Sequence, residues 1–96
     1  MSRIEQVRER LASLDPQKIE VEDESALHVG HPGARDGGGH FRLFIVSDAF
    51  AGQGRLARHR MVYAALGEMM QQEIHALAIQ AQTPEENTQS SQEENP

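Results

Sequence analysis

The sequence predicts a small α+β domain, because helical and strand patterns alternate along one short chain. Its 96 residues are too few for more than one domain of ordinary size. Two strand patterns follow each other with no helix between them and should pair antiparallel, whereas a third strand follows a helix and can pair parallel. We therefore expect a three-stranded mixed sheet with both helices packed on one face.

The first two elements are predicted from apolar spacing. A helix is expected over residues 3–14, because apolar residues recur at three- and four-residue intervals and share one face. Asp15-Pro16 ends this helix, since a proline disfavours helical geometry in the residue before it. Residues 18–23 alternate strictly between apolar and polar, which is typical of a strand with one face in water. The apolar positions of the helix are Ile4, Val7, Leu11 and Leu14.

The remaining elements follow a glycine-rich loop over residues 24–39, whose length is typical of a functional or mobile segment. Residues 40–47 contain three consecutive apolar residues, which predicts a strand buried on both faces. A second helix is predicted over residues 56–72, followed by an alternating strand over residues 74–81. The buried stripe of this helix is Val62, Ala65, Leu66 and Met69, and one face of the last strand is His75, Leu77, Ile79 and Ala81.

The charge is unevenly distributed along the chain. Residues 84–96 lack apolar periodicity and are predicted to be an acidic, disordered tail. Four of the 15 acidic residues lie in this tail without a base, so residues 1–82 carry nine bases and eleven acids. That balance argues against strong non-specific DNA binding, although Arg55, Arg58 and Arg60 form a local cluster that keeps an anionic partner open.

Composition and missing motifs exclude several classes of function. The absence of cysteine excludes a disulfide scaffold, a thiol nucleophile and an all-thiolate metal site. No apolar run approaches the roughly 20 residues that span a bilayer, and no signal peptide is recognisable, so we expect a cytoplasmic protein without a membrane partner. No phosphate-binding loop and no catalytic constellation of side chains is found, so we do not expect an enzyme.

The most distinctive motif lies where the second helix begins. Phe50-x-Gly52 is followed by Arg58-His59-Arg60, the helix, and then Ile74-His75-Ala76-Leu77. Supporting segments occur in order and at matching spacing, and together these pieces resemble the BolA family over residues 3–84. The supporting segments are Val21-Glu22-Asp23-Glu24-Ser25, His40-Phe41-Arg42-Leu43, Val46-Ser47-x-x-Phe50 and Met61-Val62-Tyr63-x-x-Leu66.

The resemblance implies both a fold and a partner. It implies a BolA-like domain over residues 1–83, similar to a class II KH domain, with a helix-turn-helix-like segment over residues 50–77. BolA-like proteins pair with monothiol glutaredoxins and share a bridging 2Fe–2S cluster completed by glutathione, in iron–sulfur trafficking or iron regulation. Some bacterial members bind DNA as transcriptional regulators of morphology and stress response. Many relatives place a Trp soon after the equivalent of Thr83-Pro84, and this chain departs from them there.

Three histidines are candidate metal ligands. His75 matches the family's cluster ligand residue by residue, although the residues alone favour a structural histidine at a strand end. His28 matches the second ligand, with His31 as a substitute, and the alternative for both is a solvated loop histidine. Because the chain has no cysteine, this subunit would ligate through imidazole, which predicts an acid-labile complex. His40 is expected to be a strand-edge residue and not a ligand.

Four residues at the start of the second helix are candidate contacts for a partner or for nucleic acid. They could meet phosphate, glutathione or an acidic glutaredoxin surface. Hydrogen-bonded bracing of the fold is an equally weighted alternative for His59 and one of the arginines. The four residues are Arg55, Arg58, His59 and Arg60.

Three functional hypotheses follow from these residues and from the resemblance. The leading one is a non-enzymatic adaptor that ligates a 2Fe–2S cluster only together with a monothiol glutaredoxin. The alternative is a DNA-binding transcriptional regulator that uses residues 50–77. The third is a structural homodimer joined through sheet edges.

Overall fold

A computed structural model describes residues 2–24, 39–72 and 74–88 of the chain. The predicted ligands His28 and His31 and the tail residues 89–96 lie outside the described residues. Within the described ranges no helix is long and apolar enough to cross a membrane. The elements are α1 (Arg3–Leu11, continued by a 3₁₀ turn, Ala12–Leu14), β1 (Lys18–Asp23), β2 (Gly39–Val46), a 3₁₀ turn (Asp48–Phe50), α2 (Arg55–Leu66), α3 (Met69–Gln72) and β3 (Ile74–Gln82).

The three strands form one mixed sheet in the order β1-β2-β3. β1 pairs antiparallel with β2, where Lys18 is opposite Val46, and β2 pairs parallel with β3, where Leu43 is opposite Ile79. The hairpin connection produces the antiparallel pair, and the helical crossover produces the parallel one. The predicted α+β fold with a three-stranded mixed sheet is therefore confirmed.

The core lies between one face of the sheet and the two longer helices. Fully buried residues on α1 and α2 meet the central strand at alternate positions, so the apolar stripes predicted for both helices are confirmed. β2 is covered on this side alone: Arg42 is exposed and Phe44 half-buried. The prediction that β2 is buried on both faces is wrong, because both helices pack on the same side of the sheet. The core residues of these elements are Val7, Leu11, Phe41, Leu43, Ile45, Val62 and Leu66.

The single helix predicted over residues 56–72 is divided in the structure. Gly67 ends α2 with a φ of 56°, a conformation that side chains other than glycine rarely adopt, and α3 begins at Met69. The guanidinium of Arg10 donates a 3.2 Å hydrogen bond to the carbonyl of Leu66, so α1 holds the end of α2. This contact places a positive charge at the negative end of the α2 dipole.

The start of β3 departs from the predicted alternation. A register shift between Gly39 and His40 interrupts the ladder there. As a result Ile74 is buried while His75 is exposed, and the regular alternation of half-buried and exposed residues begins only at Leu77. The prediction that His75 shares the half-buried face is therefore wrong at this position.

Residues 84–88, which the composition assigned to the tail, form a helical turn. The hydroxyl of Thr83 accepts a 3.2 Å hydrogen bond from the N–H of Glu86, and the Glu86 carboxylate accepts one of 3.0 Å from the N–H of Thr83. This reciprocal pair is a capping box, which satisfies N–H groups that a helix start otherwise leaves unpaired. The described structure therefore continues past residue 83.

Candidate functional site

The first candidate site lies at the start of β3, where two histidine rings meet. The ring centroids of His40 and His75 are 5.2 Å apart, with their planes inclined by 51°. His75 is exposed, whereas the Nε2 atom of His40 is buried. Only His75 therefore offers its ring openly to a partner from solution. The family motif predicts His75 as a metal ligand, whereas His40 is predicted to be a strand-edge residue and not a ligand.

Backbone pairing explains why these two histidines meet. His40 is the second residue of the central strand, opposite Ala76 in the parallel ladder with β3. Its carbonyl accepts a 2.7 Å hydrogen bond from the N–H of Glu24, which immediately precedes the loop. A shallow groove of about 340 Å³ opens beside them, lined by Glu24, His40, Phe41, Ala76, Leu77 and Ala78.

The described part of the chain contributes one exposed imidazole to this end of the sheet. Among the described residues, no group of three or more His, Cys, Asp or Glu could hold a metal ion. Because His28 and His31 lie outside those residues, the convergence of His28 with His75 stays a prediction.

The second candidate site surrounds Arg58, near the start of α2. Nη1 and Nη2 of Arg58 donate to the two carboxylate oxygens of Glu86 at 2.6 and 2.9 Å. Nη1 also donates to the carbonyl of Ala81 at 3.0 Å, and Nε to the carbonyl of Gln53 at 2.7 Å. The side chain is 14 % exposed. Arg58 thus braces three segments of the fold, which was the alternative role considered for this group.

The Arg58–Glu86 pair changes the protonation of both groups. The hydrogen bond from Arg58, followed by that from the Thr83 N–H, lowers the pKa of Glu86 from 4.5 to about 2. The same bond raises the pKa of Arg58. The pair therefore stays ionised in all but strongly acidic solution. A Thr-x-x-Glu spacing is visible in the sequence and could have identified Glu86 as a structural residue.

The other three residues of the predicted contact group have different surroundings. Arg55 and Arg60 are exposed, and the half-buried ring of His59 meets that of Tyr63 edge-on at 6.5 Å. Arg55 and His59 share one face of α2 and border a groove of about 570 Å³ against the end of β3. We call this the edge groove; it is lined by Gln53, Gly54, Arg55, Arg58, His59, Ile79, Gln80, Ala81, Gln82 and Glu86.

The element order and the sheet define the class of the protein: an α+β domain of the class II KH-like type. The BolA-like protein family model matches residues 11–86. The chain belongs to the BolA-like family.

Two relatives match most of this chain and are themselves longer proteins. SufE-like protein 1, chloroplastic/mitochondrial, of Arabidopsis thaliana is 46 % identical over 91 residues, 88 % of this chain and 24 % of that protein. Human BolA-like protein 1 is 44 % identical over 80 residues, 83 % of this chain and 56 % of that protein. The chain thus spans about a quarter and about half of these two relatives. The name of the Arabidopsis relative describes that protein as chloroplastic/mitochondrial. The cytoplasmic location expected for this chain therefore stays a prediction.

A solved structure and a bacterial relative complete the comparison. The BolA domain of SufE1 from Arabidopsis thaliana superimposes with a TM-score of 0.78 at 46 % identity, covering 90 % of this chain and 96 % of that one. DNA-binding transcriptional regulator BolA of Escherichia coli K12 is 40 % identical over 83 residues, 85 % of this chain and 76 % of that protein. The family therefore includes a member named for binding DNA.

Proposed function

We propose that this chain is a non-enzymatic adaptor that binds a monothiol glutaredoxin and shares a bridging 2Fe–2S cluster with it, in iron–sulfur trafficking or iron regulation. His75 and His28 are the proposed ligands from this chain, with His31 as the substitute for His28. A partner cysteine and glutathione complete the set. The family assignment and the exposed imidazole of His75 support the proposal.

One observation carries the ligand assignment: the loop that bears His28 leaves and rejoins the sheet beside His75. Its near end is Glu24, whose N–H is bonded to the His40 carbonyl, and its far end is Gly39, opposite Ile74. His28 follows Glu24 by four residues, which allows a reach of about 14 Å along an extended chain. That length of chain is compatible with the proposed pairing of His28 and His75 on one cluster.

The donor chemistry of this end of the sheet fits a shared cluster. A neutral imidazole can replace thiolate on one iron of a 2Fe–2S centre, and this replacement raises the reduction potential. The described residues alone supply too few ligands to hold a metal. In this proposal the second protein supplies the thiolate that this cysteine-free chain lacks.

The test is to load the cluster onto this chain mixed with a monothiol glutaredoxin and to record the visible absorption and circular dichroism. We expect a spectrum distinct from that of the glutaredoxin alone, lost in His75→Ala and regained in shifted form in His75→Cys, because a thiolate can replace the imidazole. His75 is exposed, so both variants should unfold at the wild-type temperature. A spectrum identical in wild type and His75→Ala would reject the ligand assignment.

DNA binding is the second candidate, favoured by the name of the Escherichia coli relative and by the exposed Arg55 and Arg60 on α2. α3 has only four residues, too short to serve as a recognition helix lying in the major groove. Contacts to phosphate are then the expected mode. The test is DNA affinity measured across salt concentrations. If the exposed Arg55 and Arg60 each contact one phosphate, the logarithm of the affinity should fall with a slope of about 2 against the logarithm of salt. An affinity that does not depend on salt would reject this mode.

A further inference from the structure

The outer edge of β3 presents main-chain groups to solvent. The carbonyl of Gln82 accepts a 2.9 Å hydrogen bond from the N–H of Ser47, the residue after β2, so the polar groups of Gln82 point toward β2. Main-chain groups alternate in direction along a strand. Those of Leu77, Ile79 and Ala81 therefore point outward, where the sheet ends. Arg58 engages the Ala81 carbonyl, but no described residue forms a main-chain hydrogen bond to the outward groups of Leu77 or Ile79.

This edge lacks the features that usually protect an edge strand from pairing. The nine residues of β3 include no Lys, Arg, Asp, Glu, Pro or Gly. β1, the other edge of the sheet, carries four charged residues among its six. Charged side chains and prolines are the common means of blocking an edge, so β3 can accept another strand.

The basic side chains beside the outer edge of β3 favour an acidic partner strand. The edge groove is bordered by Arg55 and His59 on α2 and by the Ile79–Gln82 end of β3. Among the described residues that line it, Glu86 is the single acid, and both of its carboxylate oxygens are bonded to Arg58. Glu86 is thus engaged by Arg58, and the exposed charge of Arg55 favours an incoming acidic group. The Glu86 carboxylate and the Ala81 carbonyl both accept from Nη1 of Arg58, so a guanidinium already holds a carboxylate in this groove.

We propose that the edge groove binds an extended acidic segment of a partner protein, which adds to the sheet as a fourth strand beside β3. Its main chain pairs with Leu77 and Ile79, and an acidic side chain meets Arg55. A polypeptide matches this edge, because the N–H and C=O groups of an extended main chain alternate at the same spacing as those of β3. A second copy of β3 offers no carboxylate for Arg55.

The edge groove does not include His75, the described ligand of the proposed cluster site. Of the residues that would pair with the added strand, Ile79 is four residues from His75, about 13 Å along an extended strand, and Leu77 is two residues away, about 7 Å. The added strand is held by main-chain groups and by Arg55, not by an imidazole of that site. The inference therefore does not depend on the proposed function. Peptide binding should be unchanged in His75→Ala, whereas cluster binding should be lost in that variant.

The probe is a capped heptapeptide of alternating Val and Glu, titrated into the full ¹⁵N-labelled chain. We expect the largest amide shifts at Leu77 and Ile79, with slowed hydrogen exchange at both. N-methylation of the peptide main chain should abolish binding, because it removes the donors that pair with the edge. Arg55→Glu should weaken binding about five- to tenfold, whereas Arg8→Glu, the same charge change on α1, should alter it by less than about twofold.

Four results would overturn the proposal. The N-methylated peptide could bind as well as its parent, or the shifts could spare Leu77 and Ile79. A short DNA duplex could shift the same two amides at lower concentration than the peptide, which would make nucleic acid the occupant. A chain that sediments as a dimer, with Leu77 and Ile79 already protected from exchange, would make a second copy the occupant.

Discussion

The two edge strands of the sheet differ in almost every respect that governs pairing. β1 is short, pairs antiparallel with β2 and carries charges at four of its six positions. β3 is longer, arrives through the α2–α3 crossover and has no Asp, Glu, Lys or Arg along its nine residues. Both candidate sites lie on β3, with His75 near its start and the Arg58 contacts near its end. One sheet thus has a charged edge and an edge open to partners.

The connection to β3 explains the difference. A parallel strand requires a crossover, and here the crossover helix α2 lies beside the strand that follows it. Arg58 consequently reaches the Ala81 carbonyl, and Arg55 and His59 border the same strand. β1 is reached directly from α1 and its 3₁₀ turn, without a crossover.

The largest expected effect contrasts two neighbouring positions on β3. Ala78→Pro should destabilise the fold by about 3 kcal/mol or more, because its N–H points toward β2 and the proline ring would disrupt the ladder. Leu77→Pro removes an N–H that points outward, so the ladder with β2 stays intact. It also replaces a half-buried leucine side chain with a smaller one, which should lower the free energy of unfolding by about 1–2 kcal/mol. Urea unfolding of both variants measures the difference. Equal losses would show that the outward groups of β3 are assigned to the wrong residues.

A second substitution tests how β2 supports the histidine end of β3. Gly39→Ala should cost about 1–3 kcal/mol, because a Cβ there would overlap the ring of Phe41 in the core. Relieving this overlap requires a movement at Gly39 or Phe41. Gly39 adjoins the register change that brings His40 next to His75. Chemical denaturation measures the cost, and the nuclear Overhauser contact between the two rings should weaken. Gly54→Ala is the steric control, since a Cβ at that position meets no atom within 4 Å. Gly54 is the N-cap of α2, where alanine is disfavoured, so this control should itself cost up to about 1 kcal/mol without weakening the ring contact.

The Arg58–Glu86 pair predicts a pH dependence at the far end of β3. The folded state lowers the pKa of Glu86 from 4.5 to about 2, so the stabilisation is complete above pH 4.5 and is lost as the pH falls toward 2. Glu86→Gln should therefore be less stable than wild type at neutral pH and equal to it near pH 2. The Glu86 side chain is 43 % exposed and screened by solvent, so the difference at neutral pH should stay below about 1 kcal/mol. A difference that persists at pH 2 would contradict this linkage.

The smallest expected effect is on β1. Lys18 and Glu20 form an exposed pair at 3.7 Å, and Lys18→Met should change stability by at most about 0.5 kcal/mol. The charge of this edge should instead matter for pairing, because edge charges disfavour a second strand. We expect Lys18→Met combined with Glu20→Thr and Glu22→Thr to raise self-association in sedimentation. A sedimentation coefficient equal to that of the wild type would show that charge is not what protects this edge.

The sequence by itself determined what depends on local periodicity and turn chemistry. The bounds of β1, the apolar stripes of both long helices and the mixed pairing of the sheet followed from spacing and connection order. The family resemblance was readable from motifs alone and is confirmed by the family model. The missed break at Gly67 has a local cause, since glycine tolerates a positive φ but does not require one.

Only the tertiary structure decided which distant side chains meet. The contact of His40 with His75 depends on a register shift between two strands, and the Arg58–Glu86 pair joins residues 28 apart in the chain. The register of β3 against β2 decides which main-chain groups of β3 face outward. Spacing along a chain determines which face of its own element a residue occupies, whereas contacts between elements depend on how those faces are packed and aligned.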